Sequence, residues 1–395
     1  MPSTRRSYAL TLAAGLTYTG LLFCWFTLPA YLPTIRAELG LSGTEAGIVA
    51  GAVPATYIPL SLLSGLVIDR IGAERGLTIG LGLVGAAQLL RSVAPGFLWL
   101  LAATVLLGVG GTAITFGLPK LVSRLFPADE TGLPSSLYLL CASTGTAGAF
   151  ALGRPVFGPA LGGWRPLFVW SGSVALGYAA VWLLVARRFL PRGSTDEGFD
   201  ADSLGRDLRA VLGNRSLRLV LVVGVVYLSA IHGLQGWLPT VLEARGFPSG
   251  RAGRTTSLLV AANAAGVLAV PAAADRYSAR GRAVIACGAA VTVGLTGIVA
   301  SALGPALFAS IVLAGFGVGG LSPLVRAIPP ELDGIGPRLT GVAVGFVFAG
   351  GEIGGFLGPV VVGVLFDLTG AYAVGLGVLA VGGLAAIAAG TQLRV

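Results

Sequence analysis

Charge is scarce in this 395-residue chain. Lysine, arginine, aspartate and glutamate make up 11% of it, against 55% apolar residues, and the mean hydropathy is +0.87. A soluble chain of this length would carry far more charge, so lipid is the expected solvent. Histidine occurs once, which excludes a multi-histidine metal centre. The cysteines Cys24, Cys141 and Cys287 form no C-x-x-C pair and fall in apolar runs, as packing residues do. No Gly-Lys-Ser/Thr phosphate loop is present, and the glycine doublets lie inside apolar runs instead of after a strand. No metal, no cofactor and no enzymatic activity are therefore expected, and no large soluble domain is available as a nucleotide motor.

What is abundant is apolar sequence in runs of roughly 20 residues, the length that crosses ~30 Å of hydrocarbon as a helix. Twelve occur, at 8–33, 46–68, 76–94, 97–120, 134–160, 166–186, 217–240, 255–273, 283–302, 305–326, 338–364 and 370–391. A barrel would alternate over about ten residues instead. The expected fold is an all-α integral membrane protein, twelve transmembrane helices in two pseudo-symmetric six-helix bundles. The most polar long stretch, Arg187 to Arg218, divides the runs six and six. The expected division is an N-terminal bundle 1–188, a linker 189–216 with some helix near Leu204 to Leu212, and a C-terminal bundle 217–395. Arg5 and Arg6 precede the first run, but that run is too long for a signal core and ends at Pro29 and Pro33, so it reads as a retained span.

The net charge is +9, yet the basic residues are scattered through loops, with no basic domain to hold nucleic acid. Topogenesis explains them better. With both termini cytoplasmic, most arginines and lysines fall inside, including Arg192 and Arg394, while Arg36, Arg91, Arg165, Arg245, Arg251 and Arg254 fall outside and Arg154 alone stays within a span. A multi-pass protein of the cytoplasmic membrane is expected.

The halves repeat each other. "LPTIRAELG" (Leu32 to Gly40) matches "LPTVLEARG" (Leu238 to Gly246), Asp69-Arg70 recurs as Asp275-Arg276, and Gly145, Gly158, Pro159 and Gly163 recur 200 residues later as Gly345, Gly358, Pro359 and Gly363. In that register Gly354 stands where Arg154 does. Parallel six-span repeats are a transporter pattern, with the binding site expected where the halves meet near the bilayer midplane.

On these residues the chain resembles the major facilitator superfamily over essentially its full length. "GLVIDRIGAER" (Gly65 to Arg75) is similar to that family's signature between spans two and three, departing at Ala73 and Glu74, where basic residues are usual. Gly145 to Gly163 is similar to the family's span-five pattern, with Arg154 replacing a glycine. In span four, Thr104 stands where many members have an arginine. "GLPKLVSRLFP", "GGWRPLFVWSG" and "WLPTVLEARG" resemble cyanate-transporter-like and related small-anion permeases. The resemblance implies a secondary transporter working by alternating access, able to act as a monomer in the lipid bilayer. The repeated Gly-Pro pairs, Gly158-Pro159 and Gly358-Pro359, and the Asp-Arg pairs, Asp69-Arg70 and Asp275-Arg276, are read as gate elements; Asp69 is expected to face the positive start of a helix from the other half.

An ionised group in hydrocarbon needs an explanation. Arg154, in "GRPVFGPALGG", reads either as a planar fork for a carboxylate or inorganic oxyanion or as a structural ion pair or carbonyl cap. Glu352 is the one acid inside a predicted span and reads as a proton carrier, as a static partner that neutralises Arg154, or as polar lining. His232, a possible proton carrier, is followed by Gln235 one turn later; with Trp237 and Asn263 these are the candidate substrate contacts, against ordinary interhelical bonding. The favoured substrate is a small organic or inorganic anion, with a proton as the candidate co-substrate. An exporter of amphipathic compounds is the alternative, and a non-transporting sensor or membrane enzyme a remote one.

Overall fold

The computed structural model describes residues 4–190, 201–277 and 279–393. Arg192, Arg394 and linker residues 191–200 lie outside them. The regular structure of the described residues is helical: α1 (Thr4–Leu39), α2 (Gly43–Ile71), α3 (Ala73–Ser92), α4 (Phe97–Leu125), α5 (Gly132–Leu161), α6 (Trp164–Phe189), α7 (Ala201–Gly213), α8 (Arg215–Ala244), α9 (Ser249–Arg276), α10 (Arg280–Ala300), α11 (Pro305–Ala327), α12 (Pro337–Thr369) and α13 (Tyr372–Gln392). Ten are long and apolar enough to cross a membrane, and α2 passes the same test as two segments, Gly43–Ser61 and Leu63–Ile71. The twelfth expected span, α3, has 20 residues, about 30 Å of helix, but also carries Glu74, Arg75 and Arg91. The remaining helix, α7, lies where the linker was expected to be partly helical.

Most helices outrun their apolar runs because polar residues finish them. At the start of α2, Ser42 and Glu45 form a reciprocal cap, with Glu45 Oε2 accepting from the Ser42 amide at 2.9 Å and the Ser42 hydroxyl accepting from the Glu45 amide at 3.1 Å. Asn214 caps α8 by accepting from the Leu217 amide at 3.0 Å. The matched segments at the ends of α1 and α8 close alike: Gly40 (φ 64°) and Gly246 (φ 91°) both adopt the left-handed conformation that glycine tolerates best.

Contacts divide the chain into two units. One comprises Met1–Gly40, Pro59–Phe199 and Ser249–Arg254, the other Leu41–Ile58, Asp200–Pro248 and Thr255–Val395. The division departs from a plain split at the linker in two places: the first half of α2 groups with the C-terminal spans, and the first six residues of α9 with the N-terminal ones. Small residues explain both, since helices in lipid associate through close backbone approach. Gly43, Gly47 and Gly51 of α2 recur every four residues, and a Cβ on each would lie 2.6, 2.6 and 2.7 Å from the carbonyl oxygens of Gly363, Pro359 and Phe356 on α12. Likewise, a Cβ on Gly253 of α9 would lie 2.6 Å from the Phe150 carbonyl oxygen on α5.

Within each unit the same device recurs. Gly85 of α3 and Gly172 of α6 each face the other's carbonyl oxygen, 2.8 Å from where a Cβ would stand; Gly288 of α10 and Gly383 of α13 do the same at 2.9 and 2.8 Å. The glycine register of spans five and eleven differs from the 200-residue sequence match, however. A Cβ on Gly145 would overlap the Thr19 carbonyl, and one on Gly354 would overlap that of Val225, which matches Thr19 in the repeat that pairs Leu32 with Leu238. Gly345, matched to Gly145 by sequence, has nothing within 4 Å. Glycines recur so often at helical spacing in α12 that a nine-residue slip still lands glycine on glycine.

Candidate functional site

The arginine in "GRPVFGPALGG" sits on a local widening of α5. Residues Ala149–Phe157 are π-helical, and Pro155 lies inside them. Proline has no N–H to continue the four-residue ladder, and a π-segment re-routes the bonds while turning its side chains to new directions. Arg154 is 7% exposed. Its Nη1 donates to the Ala30 carbonyl at 2.6 Å and its Nη2 to the Thr34 hydroxyl at 3.3 Å, both on α1. The guanidinium also lies over the Tyr31 ring, 5.2 Å from its centroid. Gly158 completes the arrangement, because a Cβ there would overlap the Tyr31 hydroxyl. The result is a buried cation flanked by two hydroxyl-bearing side chains, the chemistry that accepts an oxyanion. The bond to the Ala30 carbonyl is also the contact that the carbonyl-capping alternative calls for. Pro159, beside Gly158, is exposed.

A second buried guanidinium went unrecognised. Arg91, expected in an outer loop, is 1% exposed within α3. Its Nε donates to the Thr104 hydroxyl at 3.1 Å, and its Nη1 to the Cys24 carbonyl at 3.1 Å and to Gln88 Oε1 at 3.2 Å. Gln88 Nε2 in turn donates to the hydroxyls of Thr27 at 3.0 Å and Ser171 at 3.2 Å. Position 104, where span four lacks the arginine the resemblance leads one to expect, is thus met by a guanidinium from α3. The signal was available: Gln88 and Arg91 are one helical turn apart, and Thr104 follows a short loop.

In the other unit, Glu352 of α12 is 3% exposed, and its Oε2 is buried with no hydrogen-bond partner among the described residues. Gly355 and Pro54 close around it, a Cβ on Gly355 falling 2.8 Å from that oxygen and 3.0 Å from Pro54 Cβ. Asn263 of α9 has a buried Nδ2 without a partner, and no hydrogen bond joins it to Glu352 among the described residues. On α8, Gln235 is 7% exposed and His232 is half-buried. Trp237, a further candidate substrate contact, makes a packing contact here. It is fully buried, and its indole N–H donates to the Pro359 carbonyl at 2.8 Å, so both its surface and its one donor serve packing between α8 and α12. Gly358 has a similar task, because a Cβ there would overlap the Ser229 carbonyl on α8.

The Asp-Arg pairs at the ends of α2 and α9 anchor charged clusters. Asp69 pairs with Lys120 of α4, whose ammonium also donates to the Gly65 carbonyl at 2.7 Å. Glu74, which departs from the family signature, pairs with Arg124 at 2.8 Å, so a carboxylate replaces a base where a base already waits. Asp275 and Glu331 both pair with Arg280, at 3.1 and 2.5 Å. Arg70 and Arg276 are exposed. At the other end of α2 sits a residue that sequence reading passed over. Asp367 of α12 accepts from the amides of Gly43 and Thr44 at 2.6 and 2.7 Å and from the Thr44 hydroxyl at 2.7 Å.

These features fit known proteins. The family model described as Major Facilitator Superfamily matches residues 14–359. The chain is 26% identical to the uncharacterized transporter YycB of Bacillus subtilis, over 89% of this chain and 86% of that one. It is also 26% identical to the probable sulfoacetate transporter SauU of Cupriavidus necator (86% and 83%) and to the cyanate transport protein CynX of Escherichia coli (86% and 85%). Its fold superposes on a bacterial homolog of the human lysosomal transporter Spinster, TM-score 0.78 at 16% identity, covering 98% of this chain and 96% of that one. The nucleoside transporter NupG gives a TM-score of 0.76 at 14% identity, covering 100% of both chains. The chain therefore belongs to the major facilitator superfamily, and is a multi-pass membrane transporter and not an enzyme.

Proposed function

We propose that this protein moves a small organic or inorganic anion across the cytoplasmic membrane by alternating access, with both termini in the cytoplasm, as a monomer and with a proton as co-substrate. The observation that carries the reading is Arg154: a guanidinium kept at 7% exposure on a π-helical turn, beside Tyr31 and Thr34. A fork so placed suits a carboxylate, sulfonate or similar oxyanion. The names of two relatives, transporters of sulfoacetate and cyanate, point the same way. Glu352 is the proposed proton carrier, since a buried carboxyl oxygen lacking a hydrogen-bond partner among the described residues is costly to ionise in place. His232, Gln235 and Asn263 are proposed as polar contacts for the solute. The clusters at Asp69-Arg70 and Asp275-Arg276 are proposed as inner-gate elements, and Gly158-Pro159 and Gly358-Pro359 as the close-packed positions about which helices shift.

The test is binding and uptake by purified protein in liposomes, with small carboxylates, sulfonates and cyanate as probes. Arg154→Gln should lose anion binding, and Arg154→Lys should recover part of it, because the charge returns without the fork. Unchanged anion affinity in a folded Arg154→Gln protein would overturn the reading. Retained transport of a hydrophobic amine by the same variant would favour the exporter alternative.

A further inference from the structure

A spacious cavity of the C-terminal unit lies away from the residues proposed to contact the solute. It has a volume of about 580 Å³ and lies between the end of α9, the start of α10 and the middle of α11. Its walls are alanines, including Ala273, Ala283 and Ala286, with Cys287 and Phe316 among its deeper residues. Seven of its lining positions are alanine, so the trough exists because two neighbouring helices present methyl groups where larger side chains would fill the gap. Ala273 and Ala286 are exposed, so the trough opens outward.

In a bilayer such a space cannot hold water at hydrocarbon depth, and an apolar filler is required. The rim supplies the other half of an amphiphile's chemistry. Arg282 is the only charged residue among the described lining residues. Arg276 ends α9, its guanidinium 5.9 Å from the centroid of the Tyr277 ring, which also lines the trough. The nearby carboxylates of Asp275 and Glu331 are both held by Arg280, while Arg276 and Arg282 are exposed. Three arginines thus meet two carboxylates, leaving an excess of positive charge where the apolar trough reaches the helix ends.

We infer that this trough binds an anionic phospholipid, one acyl chain lying against the α9 and α10 alanines and the phosphate held by Arg282 and Arg276. Arginine suits this task because its fork matches phosphate oxygens and its stem spans the last apolar turn. A basic pocket between helices at the membrane surface is a recognised form of lipid headgroup site.

The test is native mass spectrometry of the purified full-length protein titrated with dioleoylphosphatidylglycerol or dioleoylphosphatidylcholine. Wild type should retain phosphatidylglycerol preferentially. Arg282→Gln should lower that retention about fivefold, the effect of one arginine near a lipid surface, without changing phosphatidylcholine. Ala286→Phe should fill the trough and lower retention of both lipids. Both positions are exposed, so melting curves should show each variant folded. Equal retention of the two lipids by wild type, or unchanged phosphatidylglycerol retention in both variants, would overturn the inference. So would competition by glycerophosphoglycerol as strong as by the intact lipid, since that would make the site one for a free phosphodiester. None of these readings depends on the transported solute, and failure here leaves the anion-transport proposal untouched.

Discussion

Replacing Asp367 with asparagine should loosen the start of α2 from α12. The carboxylate holds two backbone amides and one hydroxyl at 2.6–2.7 Å, at the end of a helix where unpaired N–H groups carry partial positive charge. Asparagine keeps one acceptor oxygen and removes the charge. Charge-assisted bonds are worth about 1.5–3 kcal/mol each and neutral ones about 0.5–1.5, but Asp367 lies at an exposed position and screening favours the low end. A loss of about 1 kcal/mol corresponds to about a fivefold shift in the ratio of open to closed contact. Val49, on α2 and fully buried, reports that ratio as a cysteine, with Cys24, Cys141 and Cys287 replaced by alanine. Labelling of Val49→Cys by a membrane-impermeant maleimide should run about fivefold faster in Asp367→Asn, and faster still in Asp367→Ala. The glycines at 43, 47 and 51 should limit the effect, because their packing on α12 survives the substitution. Equal labelling rates in folded proteins would refute the view that this cap holds a closure.

Three other outcomes follow from particular contacts. Gly158→Ala should lower the melting temperature by forcing Tyr31 aside, and Tyr31→Phe in the same protein should restore part of it by removing the overlapped oxygen; no rescue would mean that the clash lies elsewhere. Arg91→Leu should cost at least about 2 kcal/mol, because the Cys24 carbonyl and Gln88 Oε1 lose a charged donor inside the bundle, whereas Thr104→Val should cost less; thermal melting in detergent compares them. Glu352→Gln should keep anion exchange and lose the response of uptake to a pH gradient, measured in liposomes at matched and unequal pH; a response like that of wild type would remove Glu352 as the proton carrier.

The spans were legible because hydropathy over about twenty residues is a strong signal, and the repeat at Leu32 and Leu238 was legible because both copies end in a glycine with positive φ, Gly40 and Gly246. Charge placement was less legible. Arg91 sat at the end of an apolar run, and nothing local distinguishes an arginine entering a loop from one turned into the bundle; the difference is made by Thr104, Gln88 and the Cys24 carbonyl, each on a different stretch of chain. Asp367 was hidden for a similar reason, since its partners lie more than 300 residues away. The packing of Trp237 was not legible either, because an indole near the end of a span suits a cavity wall and a packing role equally well, and its partner, the Pro359 carbonyl, lies on a distant stretch of chain.

The glycine register shows how the two units diverged at the residue most involved in the proposed function. In the repeat anchored at Leu32 and Leu238, Ala30 corresponds to Gly236, and Tyr31 to Trp237. Arg154 reaches across from α5 to donate to the Ala30 carbonyl, whereas the polar crossing in the other unit runs the opposite way, from Trp237 on α8 to the Pro359 carbonyl on α12. Pro359 also faces Gly236, its Cβ 3.7 Å from where a glycine Cβ would stand. One unit thus closes this corner with apolar packing and a neutral bond. The other places a cation there, on a π-helical segment that proline and glycines make possible. A purely structural role could be filled in both units by the neutral arrangement, at lower desolvation cost. This asymmetry makes Arg154, among the buried cations described, the first to substitute in testing the proposed anion site.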